Sequence, residues 1–402
     1  MLFAMTALVL ATMGSTAAGG QGAPGLSTWP STDLLKVPRV FSADEYKDKQ
    51  VPDVRALLFE SVPFRGKTTK VFAYYSAPPG KPPAGGWPAI VIAHGGGGSA
   101  YPEYVKMWNA RGYAAISMDL YGSLPVAAGT PPTDREKVRD GFPYGTEAEN
   151  PTEEWTYHAV SSIVIAHSLI RSFPEINPNK VALVGTSWGG IHSCIAAALD
   201  KRFKAVISVY GCGFLSSGDD SVAFHQQYKD AMPWWDPSHF LAQVDTPFFW
   251  INGTNDGAFS PDMWQSSINA TPGTKSQSLV VNLGHSDGGQ TYSMVTTIAE
   301  AMLRKGPSLP KLERPTLSGR EVSVRYHADR PLVRAELCYT TDGAERAKRV
   351  WQTSPAQLDA DKVTAELPDG VVAYFVNVYD EDGQVAPDGV VWPISSEYIE
   401  TP

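Results

Sequence analysis

Val181-Ala182-Leu183-Val184-Gly185-Thr186-Ser187-Trp188-Gly189-Gly190-Ile191 is the stretch that decides how this chain folds. The apolar quartet reads as a buried strand, Gly185 to Gly189 as a sharp turn of pattern Gly-x-Ser-x-Gly, and Ile191 to Leu199 as a helix. A serine on such a turn sits in strained backbone geometry with its hydroxyl raised at the strand end. The flanking glycines are needed because side chains there would collide with the neighbouring strand or helix. The strand before and the helix after distinguish this pentapeptide from a chance occurrence, and make Ser187 the candidate nucleophile.

The pattern repeats outward from this point. Ala89 to Ala93, Ala114 to Met118, Ala205 to Val209, Phe248 to Ile251 and Leu279 to Val281 are strand candidates, mostly continuous apolar runs, the mark of strands covered on both faces. Helical patterns fall between several of them, clearest at Tyr157 to Ser172. Strands alternating with helices imply an α/β fold with a doubly wound, mostly parallel sheet and right-handed crossovers. Arg55 to Val62 and Lys70 to Ser76 read as a hairpin leading into it, around Phe64-Arg65-Gly66-Lys67.

A last helix over about residues 291 to 304 runs into Lys305-Gly306-Pro307-Ser308-Leu309-Pro310, a linker composition. Beyond this linker the pattern turns from long buried runs to short, turn-separated ones. Glu321 to Tyr326, Leu332 to Tyr339, Arg349 to Gln352, Lys362 to Leu367, Val371 to Tyr379 and Val390 to Glu400 are strand candidates of this kind. Asp342-Gly343, Asp369-Gly370 and Asp382-Gly383 mark turns between some of them. This spacing predicts a small all-β sandwich of immunoglobulin or fibronectin type.

At the other end, the apolar run Leu2 to Met13 is followed by the small residues Gly14 to Gly20, the order of a secretory signal peptide, although no Lys or Arg precedes Lys36. The expected organisation is therefore a signal peptide at 1–20, an arm at 21–52, a catalytic domain at 53–304, a linker at 305–315 and a sandwich at 316–402, in a secreted or periplasmic protein. No other stretch has the ~18 to 20 apolar residues of a membrane span.

Composition narrows the chemistry. With 43% hydrophobic and 19% charged residues, the 402-residue chain has ample material for a large core. A net charge of −9 without a basic face excludes nucleic acid as a partner. Three cysteines make no disulfide framework; Cys194 and Cys212 lie near enough in the pattern to pair, but buried free thiols are the default. No CxxC or HExxH occurs, so the reading includes neither metal nor cofactor.

A serine nucleophile needs a base, an orienting carboxylate and donors for the oxyanion. His94-Gly95-Gly96-Gly97-Gly98 ends the first buried strand, and glycine there lets backbone N–H groups face a developing charge. Gly95 and Gly96, with Trp188, form the candidate oxyanion hole; a phosphate loop would want a Lys that Gly98-Ser99 lacks. His94 itself reads as structural. Of eight histidines, only His285 follows the last strand of the α/β part, and Asp256 follows the strand before it in Ile251-Asn252-Gly253-Thr254-Asn255-Asp256. Asp119, Asp220 and Asp287 are rival carboxylates. The order Ser187, Asp256, His285 resembles the chain order of nucleophile, acid and base in the α/β-hydrolase fold. Two long connections, 121–154 and 211–244, contribute Tyr144, Trp234 and Trp235 as candidate substrate-binding residues. Trp351, Tyr374, Phe375 and Trp392 in the sandwich read as core before they read as a sugar-stacking platform.

On these residues, residues 55 to 304 resemble the acetyl xylan esterase and dienelactone hydrolase branch of the α/β-hydrolases, which shades into prolyl-oligopeptidase-like catalytic domains. Gly185-Thr186-Ser187-Trp188-Gly189-Gly190 and Asn252-Gly253-Thr254-Asn255-Asp256 are the most similar in style. The terminal sandwich resembles a domain appended to some secreted bacterial hydrolases of acetyl xylan esterase-like or PhoPQ-activated-protein-like kind. The resemblance implies short-acyl ester hydrolysis on small-molecule or carbohydrate esters; dienelactone hydrolases carry Cys where this chain has Ser187. A serine peptidase is the alternative, with Glu153-Glu154 as an anchor for a free amine, although no β-propeller precedes the catalytic part. A binding protein on a decayed hydrolase scaffold is the third reading, and the intact order of site residues opposes it.

Overall fold

The computed structural model describes residues 25–125, 150–217, 232–380 and 392–401. The candidate signal peptide, Tyr144 and the rival Asp220 lie outside the described residues.

The apolar runs form one sheet of nine strands in the order β1-β2-β3-β5-β4-β6-β7-β8-β9. These are β1 (Val40–Ser42), β2 (Arg55–Phe64), β3 (Lys67–Ser76), β4 (Trp87–Ala93), β5 (Ala114–Met118), β6 (Ile176–Thr186), β7 (Ala205–Val209), β8 (Phe248–Gly253) and β9 (Lys275–Val280). From β5 onward every neighbouring pair is parallel, whereas β1, β2 and β3 join antiparallel. The residues of β4, from Pro88 on, and all those of β5 and β7 are buried, which is why their sequences show no polar alternation. The helices Trp155–Ser172 and Trp188–Leu199 are buried along most of their length.

The hairpin of β2 and β3 closes on Arg65 and Gly66, at φ 48° and 74°, a two-residue turn whose twist matches that of the strands. Both strands consequently run up to the turn, beyond the expected Val62 and Lys70. β9 begins four residues before the expected Leu279, because its first residues are polar and only partly covered. The arm does more than lie across the domain. It supplies β1 as the edge strand and buries Trp29 against Tyr157, Trp235 and Phe240.

Beyond residue 310 two antiparallel sheets of five strands form a β-sandwich. One is built on the strands Glu321–His327 and Lys362–Glu366, the other on Leu332–Thr340 and Ala373–Asp380. Lys311–Leu312, inside the expected linker, already pairs with the Glu321–His327 strand. The strand expected at Arg349 to Gln352 starts instead at Gln352, since Arg346–Lys348 is wound into a 3-10 turn. In place of one strand to Glu400, the described residues hold two short ones, Ile394–Ser395 and Ile399–Glu400. Trp351, Tyr374 and Phe375 are core residues, and Trp392 packs partly buried on Tyr292. All three cysteines are buried and free. No described helix is long and apolar enough to cross a membrane.

Candidate active site

The chain leaves β4 in one direction to form β5 and returns on the other side of β4 to form β6. At such a reversal, adjacent loops diverge at the carboxyl ends of the strands and open a crevice. Gly95 and Gly96 follow β4, Ser187 follows β6, Asp256 follows β8 and His285 follows β9, so all sit at this one edge.

Ser187 adopts φ 55° and ψ −120° and precedes the Trp188–Leu199 helix. Its N–H donates to Val209 O at 2.8 Å, which ties the strained turn to β7. A β-carbon on Gly185 or Gly189 would overlap the Gly189 or Ala93 carbonyl oxygen, so the turn tolerates no side chain at either position. The structure brings Ser187, His285 and Asp256 into one row. His285 Nε2 lies 3.0 Å from Ser187 Oγ, and His285 Nδ1 lies 2.8 Å from Asp256 Oδ2. Because an ionised carboxylate only accepts, Nδ1 carries the ring proton and Nε2 faces the hydroxyl as an acceptor. Asp256 is 1% exposed, and its Oδ1 accepts the N–H groups of Ala258 at 2.7 Å and Phe259 at 2.8 Å. The imidazole packs between Tyr210 and Phe259, with ring centroids at 5.0 and 5.7 Å.

The glycine run lies over Ser187 and Trp188. A β-carbon on Gly95 would stand 3.1 Å from Ser187 Cβ, and one on Gly96 would stand 2.8 Å from Trp188 Cδ1. Among the described residues neither glycine spends its N–H on a partner. The Trp188 N–H belongs to the first helical residue, where the helix supplies no acceptor. His94 holds the run in shape: its Nδ1 donates to Gly95 O at 2.8 Å and its Nε2 accepts the Leu120 N–H at 2.9 Å. Both ring nitrogens are thus engaged by backbone, as a structural histidine requires.

Other expected residues lie elsewhere. Trp235 is 3% exposed in the core beside Trp29, and Trp234 is half-buried against the hydrophobic core. Asp119 caps its own loop through the N–H groups of Tyr121 and Ser123. His167 is wholly buried against Asp200 at 2.8 Å. Glu153 is paired with Arg65 at 2.9 Å, and Glu154 is buried at the start of its helix.

Several neighbours of the site carried no signal in the sequence. The Tyr121 hydroxyl accepts the Gly97 N–H at 3.0 Å while its ring stacks on Trp155 at 4.9 Å. Tyr210, at φ 60°, pairs its hydroxyl with Tyr292, which also meets Ser286 Oγ at 2.9 Å. Burial pushes the Tyr210 hydroxyl well above its usual range, so it stays neutral. Asn255 stood in the quoted motif, but its partners lie in the sandwich and nothing local points to them.

Comparison with known proteins agrees with this architecture. The acetyl xylan esterase family model matches residues 36–230, and the PhoPQ-activated pathogenicity-related protein model matches residues 214–346, across the junction with the sandwich. The acetyl xylan esterase from Paenibacillus sp. R4 superposes with a TM-score of 0.52 at 18% identity, covering 68% of this chain and 92% of that one. Acetyl xylan esterase 1 from Thermoanaerobacterium sp. JW/SL YS485 gives 0.51 at 14% identity, covering 71% and 95%. The quorum-quenching protein AidA of Acinetobacter baumannii (strain MDR-ZJ06) is 32% identical over 141 residues, 34% of this chain and only 39% of that relative's length.

Proposed function

We propose that this chain, whose residues 36–230 match the acetyl xylan esterase family model and whose fold is that of solved acetyl xylan esterases, is an α/β-hydrolase of that group: an exported serine esterase that cleaves short-acyl esters of the acetylated-carbohydrate kind through an acyl-enzyme on Ser187. The observation that carries this reading is the unbroken row from Asp256 Oδ2 through His285 to Ser187 Oγ, with contacts of 2.8 and 3.0 Å.

In this mechanism Ser187 Oγ attacks the ester carbonyl as His285 Nε2 takes its proton. The carbonyl oxygen becomes an oxyanion facing the N–H groups of Trp188 and of Gly96 or Gly95. His285, now doubly protonated and steadied by Asp256, gives the proton to the departing alkoxide, which leaves as the alcohol. Water then attacks the acyl-enzyme with His285 again as base, and the acid is released with Ser187 restored. The matched esterase family supports the substrate class, and the apolar Leu2 to Met13 run followed by small residues supports export. The peptidase alternative has lost its amine anchor, because Glu153 is engaged by Arg65 and Glu154 is buried.

The test is a panel of p-nitrophenyl esters of increasing acyl length, with acetylated xylan and an aminoacyl-anilide, assayed on wild type and Ser187→Ala. Turnover restricted to short-acyl esters and lost in Ser187→Ala is expected. Anilide cleavage exceeding acetate release, or undiminished activity without the Ser187 hydroxyl, would overturn the reading.

A further inference from the structure

β9 is the last strand of the large sheet, and an edge strand presents unpaired backbone groups that must be covered. The sandwich covers them. Leu279 N–H donates to Ser395 Oγ at 2.8 Å, Asn377 Nδ2 donates to Leu279 O at 3.3 Å, and Gln277 Nε2 donates to Ser396 O at 2.6 Å. The strand so covered is the one that delivers His285.

The contact extends to the loop that delivers Asp256. Asn255 Nδ2 donates to the carbonyls of Ala347 at 3.1 Å and Arg349 at 2.9 Å, both in the sandwich. Its Oδ1 accepts from Thr254 Oγ1 at 2.7 Å, and its N–H donates to Leu283 O in the His285 loop at 3.1 Å. The side-chain oxygen and backbone N–H of Asn255 thus serve the site loops, and its side-chain NH₂ serves the sandwich. The receiving turn is itself fixed. Arg346 reaches Asp262 at 3.2 Å and Glu400 at 3.0 Å, and Arg349 reaches Glu400 at 3.0 Å and Tyr398 Oη at 3.3 Å. A second support lies on the histidine side, where Trp392 packs on Tyr292 at 4.6 Å and Tyr292 bonds Ser286.

Resting on the esterase reading above, the geometry points to the C-terminal sandwich as a positioning part of the active site: the Ala347 and Arg349 carbonyls grip Asn255 and thereby set where Asp256 meets His285. An interface needed only to hold two domains together has no use for the side chain next to the acid. A shift of Asn255 passes through one peptide bond to Asp256, and displacement of a positioned group by about 1 Å costs up to about 100-fold in rate.

The full-length protein tests this with Asn255→Ala, Arg346→Ala and Arg346→Lys, none of which touches the reacting atoms. With p-nitrophenyl acetate, Asn255→Ala is expected to lower kcat about tenfold with KM unchanged. Arg346→Ala should lower kcat less, and Arg346→Lys should recover most of it. Amide exchange at Ala258 and Phe259, whose N–H groups Asp256 holds, should quicken in Asn255→Ala and Arg346→Ala while the β4 and β6 amides remain protected. Wild-type kcat in both variants, with or without faster exchange, would overturn the inference. Ser187→Ala in the same assay separates the two ideas. If wild type turns over no faster than Ser187→Ala, the esterase reading fails, and the exchange rates alone decide whether the sandwich orders the Asp256 loop.

Discussion

Asp256 gives one carboxylate oxygen to His285 and keeps the other for its own turn: Oδ2 lies 2.8 Å from His285 Nδ1, while Oδ1 accepts the N–H groups of Ala258 and Phe259. The division of labour orients the carboxylate before substrate arrives. It also dictates what an amide would do in its place.

In Asp256→Asn the amide oxygen must take the Oδ1 position, because two N–H groups point there. The NH₂ then faces His285 Nδ1 and forces that nitrogen to accept, which moves the ring proton to Nε2 and leaves Ser187 without a base. A fall in kcat of about 10⁴-fold at unchanged thermal stability is expected. Steady-state kinetics beside a melting curve check it; activity within tenfold of wild type would remove Asp256 from the mechanism.

Gly96 faces the indole of Trp188 so closely that a β-carbon would lie 2.8 Å from Cδ1. Gly96→Ala must push the glycine strand or the indole aside and misdirect the oxyanion donors. The expected loss is about 10²- to 10³-fold in kcat with little change in KM. Because the clash is with the side chain, combining Gly96→Ala with Trp188→Ala should recover part of that loss. A strictly additive double variant would argue against this contact as the cause.

The N-terminal arm is held by Trp29, 3% exposed, whose indole N–H reaches Tyr157 O at 3.3 Å while the ring stacks on Tyr157 at 5.7 Å. Removing it leaves a cavity between arm and domain. Trp29→Ala should cost about 3–5 kcal/mol. Urea unfolding would register this as a lower midpoint with the slope preserved, and kcat of the folded fraction should stay at the wild-type level.

His192 lies wholly buried near Trp155 and Trp188, with ring centroids at 4.8 and 5.7 Å. Burial, aided by the nearby His94, lowers its pKa from 6.5 to about 3. The folded protein therefore refuses a proton that the unfolded chain accepts near pH 6.5. Stability from this group is complete above that pH and is lost as pH falls from 6.5 toward 3, by at most about 1.4 kcal/mol per pH unit. His192→Phe should consequently lose less in melting temperature between pH 7 and pH 5 than wild type does. Parallel melting curves in that interval would count against the buried, neutral imidazole.

Much of the site was legible before any coordinates. Ser187 was marked by a strand, a five-residue turn and a helix, all within one local window. Asp256 and His285 followed from position, since side chains at the carboxyl ends of parallel strands share one edge of the sheet. The aromatic candidates fared differently. Trp235 turned inward on Trp29 because an arm about two hundred residues earlier in the chain offered it an apolar face, and no periodicity encodes such a meeting.

By itself, then, the sequence determined the parallel sheet, the sandwich after it and the strand ends that carry Ser187, Asp256 and His285, because buried strands and sharp turns are written in local composition. Tertiary structure alone decided that Trp392 would back Tyr292 and that Ala347 and Arg349 would hold Asn255. Those contacts join segments remote in sequence, and only the packing of the sandwich against the edge strand β9 and the neighbouring Pro261–Ala270 helix brings them within hydrogen-bonding reach.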